Sequence, residues 1–434
     1  MVDRRRFIVG SGAVGALAVL GGTAGCTART EGEAVSATAP AGGHVRGATA
    51  ITKVYGDGQK LVAVAVEYDA DITGSALSTS TFKVTGRTVT KVYANRSADL
   101  AERGRDGRYV IVEMSPDDKA AALWVTQQGG GTASGSSPTG TSSAAPGGGG
   151  PKVGDSTPGG TIVAAKATVT QTGTVTTTHG TRYPASGTKV TTSAVKNLIV
   201  DDFRQFTFTD PVTKQTLKCN LFVPKGYDHR KRYPLVLFMH DASVVNVATQ
   251  GPLVQGLGAV CWASPEDQAR HEAFVLAPEY DSVVIDDTYK PSPLFDTTAH
   301  LVRALTKTYS LDGKRLYATG QWPADQAKPL AKKKLWIVVS QEDDKSYSGE
   351  NAITKVVKEQ GTAVATAVWD GRSTGARFAA DVRSLKAQKE PVNYAAFKTG
   401  TVVPKGSATS AHMATWHVAY TIPGIREWVM DQSL

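Results

Sequence analysis

Gly371-Arg372-Ser373-Thr374-Gly375 sets a serine between two glycines at the spacing of a nucleophile turn. A sharp turn of that kind exposes the serine Oγ, and the next peptide N–H can stabilise an oxyanion, as acyl transfer requires. The reaction also needs a base for the hydroxyl proton and an acid to orient that base. Carboxylates stand together in Ser340-Gln341-Glu342-Asp343-Asp344, just after an apolar run; two solvated loop carboxylates would read the same way. Ser373 has a second reading too. It follows a strand-like run ending at Trp369 and precedes a helical stretch at 377–385, so it or Thr374 suits a helix N-cap. The three cysteines, Cys26, Cys219 and Cys261, match no metal spacing, and no metal or cofactor is expected. Cys219 and Cys261 read as buried free thiols in preference to a disulfide, since sequence separation does not fix their distance.

Two kinds of segment position these groups. Residues 47–123 alternate or run apolar with β-branched side chains at 52–55, 60–68, 80–84, 89–93 and 109–114, with Gly, Asp and Asn between. That pattern predicts a small β-sandwich over 47–200. Gly, Ser, Thr, Pro and Ala dominate 129–160, which buries too little to offset chain entropy and is expected to be a flexible insertion within the sandwich. From 201 to 434 the character changes. Apolar runs of strand length at 218–223, 235–239, 274–277, 316–319, 335–340 and 362–369 alternate with helical patterns at 298–309 and 352–359. Strands alternating with helices predict an α/β domain with a mostly parallel, doubly wound sheet.

The N-terminus reads as a targeting segment. Asp3-Arg4-Arg5-Arg6-Phe7-Ile8 resembles a twin-arginine export signal and leads into a short apolar run ending at Leu20. Thr23-Ala24-Gly25-Cys26 resembles a lipobox that would lipidate Cys26; cleavage near Ala37-Thr38-Ala39 is the alternative. Residues 1–39 are thus expected to be signal and spacer, and the protein to be secreted or attached to a bacterial cell envelope. The 434 residues carry a formal net charge of +9, with Lys and Arg scattered apart from Arg4–Arg6 and Lys332–Lys334. No nucleic-acid motif accompanies that charge, which suits solubility and loose attraction to anionic wall polymers.

Tyr233-Pro234-Leu235-Val236-Leu237-Phe238-Met239-His240-Asp241-Ala242 is an apolar strand ending in His and small or polar residues. With Asn220-Leu221-Phe222-Val223-Pro224-Lys225-Gly226-Tyr227, Trp262-Ala263-Ser264-Pro265-Glu266-Asp267-Gln268 and Phe274-Val275-Leu276-Ala277-Pro278, it resembles the α/β-hydrolase superfamily, in its secreted carboxylesterase and polyhydroxybutyrate-depolymerase-like branch. The preceding sandwich resembles the immunoglobulin-like N-terminal domain of some secreted esterases. The resemblance implies carboxylic ester hydrolysis through an acyl-enzyme, on small or polymer-borne esters, with no nucleic-acid partner. It implies Asp241 or Ala242 as an oxyanion N–H donor, Asp343 as catalytic acid with Asp344 as alternate, and His412 in Ser410-Ala411-His412-Met413 as general base. His240 would line the oxyanion loop, and His417 would be structural.

The nucleophile does not fit this scheme. The strand that should lead into it is Arg315-Leu316-Tyr317-Ala318-Thr319-Gly320-Gln321, yet the next residues are Trp322 and Pro323. A parallel crossover needs about a dozen residues and a full βαβ unit roughly 30, whereas only 321–334 precede the next apolar run. By resemblance the serine, its helix and one strand are deleted; a true deletion and a faulty gene sequence would read alike. Ser373 is no substitute, because the order would become acid, serine, histidine. The expectation is an esterase-type protein with impaired or no hydrolysis. The alternatives are a non-catalytic binder of cell-envelope polymer or polysaccharide, and a chain that folds poorly because its parallel sheet is uncovered.

Overall fold

A computed structural model describes residues 43–126, 152–285, 291–320, 327–407 and 409–433. The export segment with Arg4–Arg6 and Cys26, most of the Gly/Ser-rich stretch, and Gln321-Trp322-Pro323 lie outside the described residues.

The first part is all β. Its strands are β1 (Val45–Tyr55), β2 (Gly58–Ile72), β3 (Phe82–Val84), β4 (Val89–Asn95), β5 (Gly107–Met114), β6 (Trp124–Thr126), β7 (Gly160–Ile162), β8 (Thr168–Gln171), β9 (Val175–Thr176), β10 (Arg182–Tyr183), β11 (Lys189–Thr191) and β12 (Ala194–Asn197). A five-stranded sheet ordered β12-β1-β2-β5-β4 faces a three-stranded sheet ordered β11-β8-β3. Strand alternation sends Val64, Val66, Tyr68, Val110 and Val112 into the space shared with Phe82, Val84 and Val169. The opposite parity, Ile51, Ala63, Ala65 and Ile111, is buried under Tyr93 and the 98–101 loop, so β2 is apolar on both faces. The Tyr68 hydroxyl donates to Gln171 Oε1 at 2.8 Å and pins the two sheets together.

The second part holds strands β13 (Phe203–Thr209), β14 (Thr216–Phe222), β15 (Tyr233–Phe238), β16 (Phe274–Glu279), β17 (Leu311–Thr319), β18 (Leu335–Ser340), β19 (Val364–Trp369) and β20 (Val392–Phe397). Its helices are α1 (Gly251–Val254), α2 (Leu257–Val260), α3 (Pro265–Gln268), α4 (Pro293–Thr308), α5 (Asp344–Glu359), α6 (Gly375–Lys386), α7 (Ala411–Ala419) and α8 (Ile425–Met430). One sheet runs β13-β14-β16-β15-β17, antiparallel through β14–β16 and parallel from there on. A second, wholly parallel sheet runs β18-β20-β19. Most strands lie within a few residues of their expected places. The helix expected at 298–309 begins earlier, at Pro293, where Ser292 caps it by accepting from Leu294 N. The helix expected at 352–359 begins at Asp344.

Two departures concern this region. Val392–Phe397 is a fully buried strand that the apolar runs did not single out, and it lies between β18 and β19. Its Asn393 and the Gln388-Lys389-Glu390 before it disguise it. The second departure is the split of the sheet itself. Among the described residues the outer edge of β17 and that of β18 have no strand partner. Gly320 and Ala327 are seven residue steps apart, at most about 25 Å of chain, which leaves no length for a helix and a strand.

The β part is packed against the α/β part. Val54 and Trp124 enter the same apolar cluster as Phe238, Leu253, Val260 and Trp262. The β1–β2 turn presses on α7, where a Cβ added to Gly56 would stand 2.6 Å from the carbonyl oxygen of His417. Gly56→Ala must therefore separate the turn from the helix. It should cost about 1–3 kcal/mol of stability, seen as a lower urea midpoint, whereas an unchanged midpoint would mean that this contact is slack.

Candidate active site

Asp343 is positioned by the start of α5. It is the N-cap residue, and its Oδ1 accepts from the Ser346 backbone N–H at 3.2 Å. That leaves Oδ2 free to accept from His412 Nδ1, 2.7 Å away. His412 sits in the first turn of α7. Ser410 caps that turn by accepting from Met413 N at 3.3 Å. One turn further along, Trp416 packs on the imidazole with ring centroids 5.3 Å apart. Two capped helix N-termini thus fix the two side chains against each other, though 69 residues separate them.

The electrostatics follow from this pairing. Burial disfavours the Asp343 carboxylate, but the hydrogen bonds from His412 and Ser346 outweigh it and hold its pKa below the ordinary value. Bound in this way, Nδ1 carries the proton and Nε2 is left as the acceptor, as a general base requires. Asp344 is exposed at the helix start.

His412 and Asp343 form part of the wall of a cavity of about 620 Å³, with Met239, Thr319, Gly320, Glu350 and Trp416. Neither Asp241 nor Ala242 lines it. Asp241 instead caps the short turn at Ala242–Val244, its Oδ1 accepting from the N–H and hydroxyl of Ser243. Ser373 does not line it either. Its N–H donates to Asp370 O in the turn before α6, and Thr374 caps that helix. Ser346 is the hydroxyl bonded to His412, but its Oγ lies 3.1 Å from Nδ1, the nitrogen that faces the acid. His417 is half-buried against the β part, and burial lowers its pKa.

Two carboxyls here were not singled out from the sequence. Glu350 lies on the cavity wall, and burial pushes its pKa up to about 7. Its position, four residues after Ser346 on the same helical face, was the available signal. Glu279 is buried beside His240 at the end of β16. His240 Nε2 accepts from the Tyr280 N–H at 2.9 Å, so Nδ1 carries the proton and donates to Asp241 O at 2.8 Å. Burial lowers the His240 pKa to about 4 and raises that of Glu279 to about 8. Burial thus favours the neutral form of both partners, which stand 3.6 Å apart. Cys219 and Cys261 are buried free thiols; burial raises both, Cys261 to about 12.

A mixed sheet and a parallel sheet flanked by helices, with a histidine–aspartate pair at the strand ends, behind a two-sheet β module, fit an α/β-hydrolase architecture with an immunoglobulin-like domain in front. Comparison with known proteins agrees. Residues 47–184 match the family model of the esterase Ig-like N-terminal domain. A solved structure described as a thermostable esterase superposes with TM-score 0.70 over 90% of this chain and 100% of its own, at 24% identity. A feruloyl esterase module from Clostridium thermocellum, an S954A mutant complexed with sinapinate, aligns over 50% of this chain and 85% of its own (12% identity, TM-score 0.27). An IroE-like serine hydrolase from Shewanella oneidensis aligns over 50% and 79% (10% identity, TM-score 0.28). No curated protein matches the chain.

Proposed function

We propose that this is an exported, esterase-type member of the serine hydrolases, ancestrally cleaving small or polymer-borne carboxylic esters, whose catalysis is impaired by loss of the nucleophile elbow. The observation that carries this is the Asp343–His412 pair at 2.7 Å, built as an acid and base, beside a strand followed by Gly320-Gln321-Trp322-Pro323. Residues 321–326 contain no Ser, Thr or Cys. The basis for export is the Arg4-Arg5-Arg6 signal pattern, with Cys26 as the candidate lipid anchor to the cell envelope.

Treatment of the purified protein with a fluorophosphonate probe tests the reading. Mass spectrometry should find no serine modified above the level of heat-denatured protein. Stoichiometric labelling of Ser373, abolished by His412→Ala, would overturn it and make the 371–375 turn the nucleophile site.

A further inference from the structure

A second cavity lies apart from the one that holds His412 and Asp343. It encloses about 230 Å³ and shares no wall residue with the first. Lys231, Arg232, Arg270, His271 and Arg315 line it, and Glu272 is the one carboxylate in its wall. Strand register brings these side chains together. β15 and β16 are parallel and pair Leu235 with Phe274, so the segments that run into them, 231–232 and 270–272, arrive side by side. β17, parallel on the other flank of β15, pairs Leu316 with Leu235 and so sets Arg315 level with Pro234. The cavity thus opens at the strand starts. His240 follows β15 at its other end, roughly 25 Å from Arg232 along an extended chain.

The guanidinium groups are held in place. Arg315 donates from Nε to Asp312 Oδ2 at 2.8 Å and from Nη2 to the carbonyl oxygen of Arg232 at 2.9 Å. Arg232 answers across the same pair of strands, its Nη1 donating to Leu311 O at 3.1 Å. Arg270 Nη1 donates to Glu427 Oε1 at 2.8 Å. Each guanidinium carries five N–H donors, so these bonds orient the groups and leave most of their donors unused. Arg232 has no carboxylate partner among the described residues. Glu272 is only loosely engaged, its Oε2 standing 3.7 Å from Lys231 Nζ, too far for a hydrogen bond. Lys231 and the three arginines thus meet three carboxylates, Glu272, Asp312 and Glu427, and one positive charge remains over. The His271 imidazole, with no ring hydrogen bond among the described residues, adds a further donor.

We infer that this cavity binds one phosphoryl group, as free phosphate or as a phosphate ester. Planar guanidinium groups oriented in advance match an oxyanion that accepts on several oxygens at once. The volume falls below the roughly 300–1,000 Å³ of pockets that enclose a drug-sized ligand. It therefore suits an anionic head group, with the rest of the ligand outside. Apolar contact comes only from Tyr233, Pro234 and Met430, which is too little for an acyl chain. The inference needs no hydrolysis, so it stands whether or not the esterase chemistry survives.

Isothermal titration calorimetry of the full chain with inorganic phosphate, at physiological ionic strength, tests it. The titration should saturate at one phosphate per chain. Arg232→Gln removes the arginine without a carboxylate partner and should weaken binding about tenfold or more. Lys231→Gln, at an exposed side chain, should weaken it about threefold or more and leave the melting curve unchanged. Lys189→Gln removes the same single charge from β11, in the β part, and should leave the affinity as it was. If Arg232→Gln lowers the melting temperature, the comparison of Lys231→Gln with Lys189→Gln decides alone. Absence of saturation, or equal weakening by Lys231→Gln and Lys189→Gln, would overturn the inference and reduce it to general attraction by a basic surface. A second arm with poly(glycerol phosphate) separates the sources. Tighter binding per phosphate than the free ion supports the site as one for a polymer-borne diester, and weaker binding supports it as one for free or terminal phosphate.

Discussion

Purified protein is expected to hydrolyse p-nitrophenyl acetate with a kcat roughly 10⁴-fold or more below the ~10 s⁻¹ typical of enzymes. Replacement of His412 by alanine should change even that little, by less than about threefold, because members of a catalytic unit do not act additively once the nucleophile is gone. The geometry supports both halves of this expectation. His412 Nδ1 is held by Asp343 at 2.7 Å, which leaves Nε2 to take a proton from a hydroxyl. The hydroxyl bonded to the ring, that of Ser346, lies on the Nδ1 side. Ser373 stands in the turn ahead of α6 and does not line the cavity. What rate remains comes from substrate binding in the cavity and not from the base, so a weak residual rate is consistent with the fold. Brisk turnover abolished by His412→Ala would contradict it.

The fold was largely readable because its signals are local. Tyr233-Pro234-Leu235-Val236-Leu237-Phe238 forms a strand buried along nearly its whole length, as a continuous apolar run in a parallel sheet should. The short β-branched and apolar runs of β1 and β2, punctuated by Gly and Asp, indicated the sandwich. Asp343 and His412 were nameable only by resemblance, since nothing within Ser340–Asp344 or Ser410–Met413 says that they meet. That meeting depends on α5 and α7 starting where they do. Helix starts were the weakest part of the reading. α5 begins at Asp344 because Asp343 caps it, a role for that carboxylate that competes with its reading as a catalytic acid but turns out to be compatible with it. The Asp241 side chain went to a local turn cap, and short polar side chains near chain reversals commonly do this. Strand β20 was hidden by polar neighbours. The break between β17 and β18 followed from counting residues after Gly320.

The second large effect concerns Glu279. Its side chain is buried, Oε1 accepts from the Val247 N–H at 3.2 Å, and Oε2 has no hydrogen-bond partner. Burial raises its pKa from 4.5 to about 8, so the folded state holds a proton that the unfolded chain releases above pH 4.5. A carboxyl raised in this way stabilises fully below its unfolded pKa, and the contribution is lost as pH climbs through the folded value. His240 works in the opposite sense. Its pKa falls from 6.5 to about 4 on burial, so its contribution is complete above pH 6.5 and lost as pH falls towards 4. The two slopes oppose each other between pH 4.5 and 6.5. Above pH 6.5 His240 adds no further change; Glu350, raised to about 7, adds its own fall only up to that value, while the share of Glu279 between 6.5 and about 8, at roughly 1.4 kcal/mol per unit, is about 2 kcal/mol. Glu279→Gln keeps an acceptor for Val247 and carries no titrating proton, so it should abolish that loss. Urea unfolding at pH 6.5 and pH 8 should give a midpoint that falls with pH for the natural protein and falls much less for the variant, where Glu350 alone of the raised carboxyls remains. Parallel falls in both proteins would mean that Glu279 is ionised in the fold. The neutral pairing with His240 would then be wrong, because a buried carboxylate 3.6 Å from that ring would hold the imidazole in its charged form.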